Sequence, residues 1–206
     1  TVAKATVGEV ENLEYLLVER FDREITGNGA IQRLHQEDFC QALGYPSQNK
    51  YQGEGGPSLK DCFALLREVS TSPVIDLMAL LDAVIFNFVI GNNDAHGKNY
   101  SLLYYADASV RFAPLYDLVC TVYYPELTDN MAMKIGNEKK SSRISPRHFE
   151  KLAEDTGLAG ALVKRRVLQL AVTIEESLEN ITKPTEASVE VAEIIRQRCE
   201  EIVRRF

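Results

Sequence analysis

The sequence has too few basic residues for a protein that binds nucleic acid over a broad face. Its 23 Lys and Arg are outnumbered by 30 Asp and Glu, which gives a formal net charge of -7 at pH 7. A nucleic-acid interface needs clustered positive charge, because it must neutralise phosphates. We therefore do not expect this chain to bind DNA directly.

The sequence also lacks signals of export, disulfide bonding and membrane insertion. The first residues contain no apolar segment of a signal peptide. The longest apolar run, residues 74–90, is shorter than the roughly 20 residues of a membrane span and includes Asp76, Asp82 and Asn87. No C-x-x-C spacing occurs, and all cysteines lie in apolar patterns typical of reduced core thiols: Cys40, Cys62, Cys120 and Cys199. These features predict a cytoplasmic protein with a buried helix at residues 74–90.

A completed phosphate-binding loop is missing as well. Residues 50–57 include Gly53, Gly55 and Gly56, but they match neither G-x-x-x-x-G-K-S/T nor G-x-G-x-x-G. We predict a flexible loop there rather than a phosphate cradle.

What the chain does contain is an ordinary globular balance. With 206 residues, of which 45% are hydrophobic, it can bury a real core. Turn and cap signals predict an α+β, mostly helical fold without a domain linker. Strands are predicted at 13–21, 30–34, 101–105 and 110–113, with turns at 11–12 and 107–109. Helices are predicted at 36–43, 58–69, 73–90, 145–157, 159–181 and 186–205, with a break at 183–184 and no regular pattern at 118–140.

The most informative stretch is residues 91–101, which reads Gly-Asn-Asn-Asp-Ala-His-Gly-Lys-Asn-Tyr-Ser between two apolar segments. Asn99 follows Asp94 by five residues, and Asp117 comes after a tight hairpin that would fold it back beside them. The side-chain oxygens of these three residues would then converge as possible metal ligands. Phosphoryl transfer needs one carboxylate to accept a hydroxyl proton, with an Asn and a second Asp to hold Mg²⁺. Protein kinases carry these groups in this order.

Other interpretations of the loop stay open at this point. An Asx-rich turn that caps the helix and the strand would explain a lone Asp-x-x-x-x-Asn, although the hairpin spacing favours a kinase. His96 and Lys98 are further catalytic candidates, since either could contact the transferring phosphate or Asp94. A loop-stabilising hydrogen bond for His96 and a solvated charge for Lys98 are equally compatible with the sequence.

Several motifs resemble the HipA family of bacterial serine/threonine kinases, the toxin halves of toxin–antitoxin pairs. The strongest are Asn-Asp-Ala-His-Gly-Lys-Asn-Tyr-Ser-Leu-Leu at 93–103 and Ala-Pro-Leu-Tyr-Asp at 113–117. Further matches are Glu-Arg-Phe-Asp-Arg at 19–23, His-Gln-Glu-Asp-Phe at 35–39, and Lys-Tyr-Gln-Gly-Glu-Gly-Gly-Pro-Ser at 50–58. The resemblance covers about residues 13–120 and is less distinctive in the helical tail.

The resemblance implies a protein-kinase-like C-lobe with short β-hairpins, at a hinge strand and a catalytic loop, and a carboxy-terminal helical tail. It divides one domain, residues 1–206, into hinge-proximal strands (1–34), a catalytic core (35–140) and the tail (141–206). ATP and Mg²⁺ are the implied cofactors. The implied roles are catalytic base for Asp94, Mg²⁺ ligands for Asn99 and Asp117, adenine contacts for Val18, Glu19 and Phe21, and ribose contact for Asp22.

The resemblance also implies partners. The protein substrate would be a seryl residue of an aminoacyl-tRNA synthetase, whose modification leads to growth arrest or persistence. A HipB-like antitoxin would restrain the kinase and provide its sole, indirect link to DNA. Family members carry an amino-terminal lobe with a phosphate-gripping loop and a lysine, which this chain lacks. The same longer chain or a separate polypeptide would supply it, and we expect the isolated chain to bind ATP weakly and transfer little phosphate.

Three rival functions follow from the same residues. Residues 91–94 faintly resemble the Gly-Asn-His-Asp/Glu of metallophosphoesterases, but no upstream Asp-x-His accompanies them. Atypical lipid kinases also carry Asp-x-His-x-x-Asn, so lipid is an alternative acceptor. A kinase-shaped module that only docks on a partner has no need to keep Asp94, Asn99 and Asp117 together.

Overall fold

The computed structural model describes residues 1–11, 13–181 and 184–206. Among these residues it has six α-helices: α1 (Phe39–Ala42), α2 (Leu59–Val69), α3 (Pro73–Ile90), α4 (Pro146–Thr156), α5 (Gly160–Ser177) and α6 (Glu186–Arg205). The strands of its first half are β1 (Ala5–Val10), β2 (Leu13–Val18), β3 (Arg23–Ile25), β4 (Ile31–Arg33) and β5 (His35–Asp38). The strands of its second half are β6 (Ser101–Tyr104), β7 (Val110–Phe112), β8 (Asn130–Ile135) and β9 (Glu138–Lys140). The turn predicted at 11–12 and the break predicted at 183–184 include Asn12 and Lys183, which lie outside the described residues.

Helix α3 forms the centre of the core. It packs against α2, α5 and α6, and Leu80, Leu81, Ile85 and Val89 are fully buried along it. Of the helices described, it is the one whose length and composition would allow a membrane span, but 61% of it is buried inside the domain. Burial by neighbouring helices on several sides explains why its sequence is apolar almost all round.

The β-strands form small antiparallel sheets around this helical core. Strands β5, β6 and β7 make a three-stranded sheet with β6 in the middle, and the other strands pair as β1 with β2, β3 with β4, and β8 with β9. Because β6 begins at Ser101, directly after the polar loop, the central sheet fixes one end of that loop while α3 fixes the other.

Local cap signals placed several helix ends correctly. Ser58 accepts a hydrogen bond from the backbone of Asp61 and so begins α2 with the predicted capping box. Pro73 begins α3, and Gly91 ends it in the left-handed conformation with φ of 75°. The four cysteines, all within the described residues, are free thiols, and Cys120 is half-buried while the other three are buried.

Two regions differ from the predictions. The helix predicted at 36–43 is wrong in its first half, because His35–Asp38 pairs with β6 as β5 and Asp38 caps a helix that starts only at Phe39. The segment 118–140, predicted to be irregular, contains β8 and β9. Their register is interrupted between Asn130 and Ile135, which obscures the two-residue alternation that reveals a strand.

The β1–β2 hairpin is exposed along both faces. Val7 is 72%, Leu13 74% and Leu16 66% exposed. The base of the hairpin is attached to the rest of the domain where the Ala3 amide donates to the Leu115 carbonyl and the Leu115 amide to the Thr1 carbonyl. An isolated two-stranded hairpin is only marginally stable in water, so this one presents an apolar surface suited to being covered.

An ion pair between buried Asp76 and half-buried Arg111 joins α3 to the central sheet. Arg111 on β7 donates to both oxygens of Asp76 at 3.0 and 3.1 Å, Ser70 donates at 2.6 Å, and the Phe112 amide at 3.0 Å. Asp76 is 2% exposed. Burial by itself would raise the pKa of Asp76, but the hydrogen bonds from Arg111, Ser70 and Phe112 bring it below its ordinary value.

We predict that Asp76→Asn lowers the free energy of unfolding by about 3 kcal/mol at pH 7, because it leaves Arg111 without its partner. The native carboxylate has a lowered pKa, so its stabilisation is complete above the unfolded pKa of about 4 and is lost as pH falls further. Urea unfolding at pH 7 and pH 3 should show a deficit that shrinks at the lower pH. The exposed substitution Glu200→Gln is the matched control, and an equal deficit at both pH values would contradict this account.

Candidate active site

The polar loop starts from a helix end that tolerates only glycine. A Cβ on Gly91 would lie 2.4 Å from Cγ2 of Val122, and the left-handed φ of 75° also favours glycine. The next side chain, Asn92, donates to Oδ1 of Asn87 at 2.8 Å and to the carbonyl of Asp117 at 3.2 Å. The end of α3 is thereby tied directly to the segment that follows the β6–β7 hairpin.

Asp94 is the exposed member of an otherwise buried run. Asn93 and Ala95 on either side of it are 6% exposed, whereas the Asp94 side chain faces solvent. The Tyr51 hydroxyl donates to Oδ1 of Asp94 at 2.9 Å. A carboxylate held by one oxygen and accessible at the other is suited to accept a proton from a bound hydroxyl group.

The structure brings Asn99 and Asp117 into direct contact. Nδ2 of Asn99 donates to Oδ2 of Asp117 at 2.5 Å, across 18 residues of sequence. Asp117 adopts a left-handed backbone with φ of 58°, and its carboxylate is exposed. The hairpin therefore folds the second carboxylate back to the loop, as its spacing predicted.

The donor set fits a hard cation that also binds other ligands. Asn99 and Asp117 offer amide and carboxylate oxygens, and Mg²⁺ typically takes one or two such protein ligands together with phosphates and water. Oδ1 of Asn99 accepts a hydrogen bond from the backbone amide of His96 at 3.0 Å. Binding a cation through Oδ1 would therefore require the side-chain amide of Asn99 to rotate. Within the described residues no group of three or more His, Cys, Asp or Glu forms a self-sufficient metal cage.

His96 packs beneath the Tyr51 ring rather than facing solvent. It is 7% exposed, and the two rings meet edge to face with centroids 5.4 Å apart. Burial, assisted by the positive charge of Lys50, lowers the pKa of His96. Burial therefore favours the neutral imidazole, which packs against the tyrosine that holds Asp94.

Lys50 lies at the site, although we predicted no role for it beyond its place in the glycine-rich loop and in the motif at 50–58. Its carbonyl accepts from the Gly97 amide at 3.3 Å, and its ammonium lies 4.9 Å from the centre of the Tyr51 ring. The fold thus packs residues 50–57 onto the polar loop, since a Cβ on Gly97 would meet Cγ of Pro57 at 2.5 Å. The sequence signal for this packing was the Gly-Gly-Pro segment at 55–57, which we predicted to be part of a flexible loop.

Lys98 enters the site through its backbone. Its carbonyl accepts from the Tyr116 hydroxyl at 2.6 Å, which links the loop to the residue before Asp117. The Lys98 side chain is half-buried. Its assignment as a catalytic residue stays a prediction.

The proposed nucleotide residues lie next to the metal-ligand candidates at one point. The Phe21 ring is tilted against Tyr116, with centroids 5.6 Å apart. Val18 is exposed, and Glu19 pairs with Lys4 at 3.3 Å. Phe21 therefore contacts the residue that precedes Asp117.

Asp22 is held by arginines instead of being presented to a ligand. It is 1% exposed, and Arg20 and Arg23 donate to its carboxylate at 2.7 and 2.6 Å. The hydrogen bond from Arg20 and the further bond from Arg23 lower the pKa of Asp22 to about 2. A ribose hydroxyl would have to compete with these bonds, so the predicted ribose contact requires Asp22 to exchange partners.

Arg198 is a residue of the site that local sequence signals could not reveal. From α6 its guanidinium donates to the carbonyls of Phe88 at 2.5 Å and Val89 at 3.0 Å. These are among the last carbonyls of α3, where a cation also interacts favourably with the helix dipole. The contact joins residues 109 positions apart, and it ties the tail to the helix that leads into Asp94.

Titration with Mn²⁺ should test the Asn99–Asp117 pair as a cation site. In the ¹⁵N-labelled chain, bound Mn²⁺ should selectively broaden the side-chain amide resonance of Asn99, because it binds the same oxygen ligands as Mg²⁺. Asp117→Asn should raise the Mn²⁺ concentration required by roughly tenfold or more. Asp155→Asn on α4 is the control, and equal broadening in all three proteins would argue against the site.

The pKa of His96 offers a second test. We expect the His96 resonance to titrate below the ordinary value of about 6.5, and Lys50→Met to raise the midpoint by removing a nearby positive charge. Because the folded state disfavours protonation, the contribution of His96 to stability should be present above pH 6.5 and decline at lower pH. NMR titration, with His96→Gln to assign the signal, gives the answer. A midpoint at or above 6.5 would overturn the description of a buried neutral imidazole.

Comparison with known proteins identifies relatives for this arrangement. The family model of the HipA-like C-terminal domain matches residues 1–203. The Sinorhizobium fredii protein Y4mE is 47% identical over 171 residues, which are 83% of this chain and 40% of the relative. The serine/threonine-protein kinase toxin HipA of Shewanella oneidensis is 30% identical over 192 residues, 87% of this chain and 44% of that protein. The chain thus spans less than half the length of these relatives.

Solved structures show the same fold. The HipA chain from a Shewanella oneidensis complex of HipA, HipB and operator DNA superposes with a TM-score of 0.89 at 27% identity, covering 97% of this chain and 51% of that one. The Helicobacter pylori proinflammatory kinase CtkA gives a TM-score of 0.63 at 15% identity, covering 100% of this chain and 77% of that one. The predicted α+β, kinase-like fold is confirmed.

Proposed function

The chain belongs to the family of HipA-like C-terminal domains, and we propose that it is the carboxy-terminal lobe of an ATP- and Mg²⁺-dependent serine/threonine protein kinase. One observation carries the proposal. A single loop and hairpin carry an exposed carboxylate, Asp94, together with Asn99 and Asp117, whose side chains are hydrogen-bonded to each other. Phosphoryl transfer needs these groups and little covalent chemistry from the protein.

Each side chain has a proposed role in the transfer. Asp94 orients the acceptor hydroxyl and takes its proton, while Tyr51 fixes the carboxylate through Oδ1. Asn99 and Asp117 hold Mg²⁺, which supplies charge neutralisation to the phosphates when bound. Neutral His96 keeps Tyr51 in place, and Lys98 provides a cation for phosphate oxygens.

The nucleotide end requires more than this chain. We propose that the backbone of Val18, Glu19 and Phe21 meets adenine and that Asp22 reaches the ribose. A second lobe would close over the nucleotide and cover the apolar β1–β2 hairpin, whose leucine and valine side chains are exposed. The relatives are more than twice as long as the matched region, which supports a second lobe. A longer chain or a separate polypeptide would provide it.

The wider function is proposed from the family. The acceptor would be a seryl hydroxyl of a protein, such as an aminoacyl-tRNA synthetase, in the cytoplasm, and its modification would arrest growth and favour persistence. The solved HipA relative was crystallised with HipB and operator DNA, which supports a HipB-like antitoxin as partner here. Contact with DNA would be indirect, in keeping with the net charge of -7.

A docking module without catalysis is the second candidate. The exposed apolar residues of β1 and β2 favour it, since such a surface serves protein association as well as nucleotide closure. The two candidates differ in their need for Asp94, which contributes nothing to that hairpin surface.

Transfer of radiolabelled phosphate to a protein acceptor tests the choice. We expect the isolated chain to transfer slowly with Mg²⁺ and ATP, and Asp94→Asn to reduce the rate by roughly 10² to 10⁴-fold, the share typical of a general base. Glu200→Gln should leave the rate unchanged. Equal rates for wild type and Asp94→Asn would support the docking module, and a rate of roughly 1 to 100 s⁻¹ from the chain alone would show that no second lobe is needed.

If the transfer rate is below detection, nucleotide binding can be measured instead. Binding of a nonhydrolysable ATP analogue with Mg²⁺ should then weaken in Asp117→Asn and persist in Asp94→Asn, because only the first residue is assigned to the metal. Identical binding by both variants would contradict the assignments.

A further inference from the structure

A cavity of about 570 Å³ opens beside Asp94. Its walls come from residues 51–54, the polar loop, the segment after Asp117 and strands β8 and β9, and they include Tyr51, Asn93, Asp94, Leu127, Asn130 and Met131. Asn99, Asp117 and residues 18–22 are not part of the described lining. The cavity thus includes Asp94 in its lining but not the residues predicted to bind the metal and the nucleotide.

This position matches the geometry of phosphoryl transfer. The attacking and leaving oxygens lie roughly in line across the transferred phosphorus, so the acceptor must approach from the side opposite the nucleotide. Tyr51 occupies Oδ1 of Asp94, and across residues 1–11, 13–181 and 184–206 no hydrogen bond to Oδ2 is formed. Oδ2 can accept a hydroxyl that enters through the cavity.

Two amide oxygens at the cavity have no donor. Oδ1 of Asn93 and Oδ1 of Asn130 are both buried, and neither has a hydrogen-bond partner in the part of the chain that the structure describes. Asn93 is 6% exposed, and its own amide group donates to the Thr128 carbonyl at 3.3 Å. A buried acceptor without a donor costs roughly 1 to 3 kcal/mol, so a backbone N–H of a bound peptide would relieve that cost if either oxygen turned towards the cavity. For Asn93 this rotation would also break the bond to the Thr128 carbonyl.

One part of the wall is apolar, although the lining also includes polar and charged residues. Leu127 is 53% exposed, and it lines the cavity together with Met131 and Ala132. Lys134 and Glu54 bring opposite charges to the lining, so neither a strongly acidic nor a strongly basic ligand is favoured. An apolar side chain of a ligand would pack against Leu127 and Met131 and remove their apolar surface from water.

We propose that this cavity binds an extended segment of the acceptor protein, with an apolar side chain on Leu127 and Met131 and the accepting serine or threonine at Asp94. The proposal rests on the proposed kinase function and adds Leu127 and Met131 as the residues that select the acceptor segment. The hydroxyl oxygen bonds to the γ-phosphorus of ATP as the bond between that phosphorus and ADP breaks, and the hydroxyl proton passes to Asp94. Backbone N–H groups of the segment satisfy Asn93 and Asn130.

Fluorescein-labelled peptides with a central serine test the site on the chain as it stands. Fluorescence polarisation should show roughly tenfold tighter binding for peptides with Leu or Met near the serine than for peptides with Glu there, a difference typical of one apolar side chain. Leu127→Glu should abolish this preference. Val172→Glu, at a similarly exposed apolar position on α5, should retain it.

The same variants separate this proposal from the kinase assignment. Binding of the ATP analogue with Mg²⁺ should be equal in wild type, Leu127→Glu and Val172→Glu. Peptide preference that persists in Leu127→Glu would overturn the site, as would binding of phospholipid vesicles in place of peptides. Peptide binding that depends on Leu127 in a chain where Asp94→Asn leaves phosphate transfer unchanged would keep the site and refute the kinase function.

Discussion

The candidate active site depends on how a buried helix comes to an end. The last carbonyls of an α-helix have no partners within it, and burying them without donors is costly. In α3 the donors come from outside the helix. Arg198 on α6 donates to the carbonyls of Phe88 and Val89, and the backbone amide of Asn92 donates to the Asn87 carbonyl at 2.8 Å. With the helix end satisfied in this way, the loop that carries Asp94 has a fixed starting point.

The second fixed point is the β6–β7 hairpin. Strand β6 is paired on both sides, so the chain must leave the polar loop along one direction and return along the next strand. The return brings Asp117 to Asn99, and the carbonyl of Asp117 accepts from Asn92 at the helix end. A helix terminus, a loop and a hairpin thus form one hydrogen-bonded unit in which two carboxylates reach solvent.

Prediction from sequence succeeded where the signals were local. Gly91, Pro73 and the Ser58 capping box mark helix ends within a few residues, and the spacing between Asn99 and Asp117 sufficed to bring the two together. Other features depend on distant partners. Strand β5 exists because β6 pairs with it, and Arg198 finds its carbonyls 109 positions away. The position of Lys50 at the site and the cavity at Leu127 likewise depend on separate segments that pack onto the loop.

The left-handed backbone of Asp117 limits which residues can stand there. Outside glycine, Asn and Asp enter this region several-fold more readily than other residues, and longer or branched side chains do so at a cost. Glycine would satisfy the dihedral angle but offers no side-chain oxygen, and glutamate offers the oxygen but resists the angle. The position therefore has two requirements, a left-handed backbone and a side-chain oxygen. Aspartate meets both and adds a negative charge.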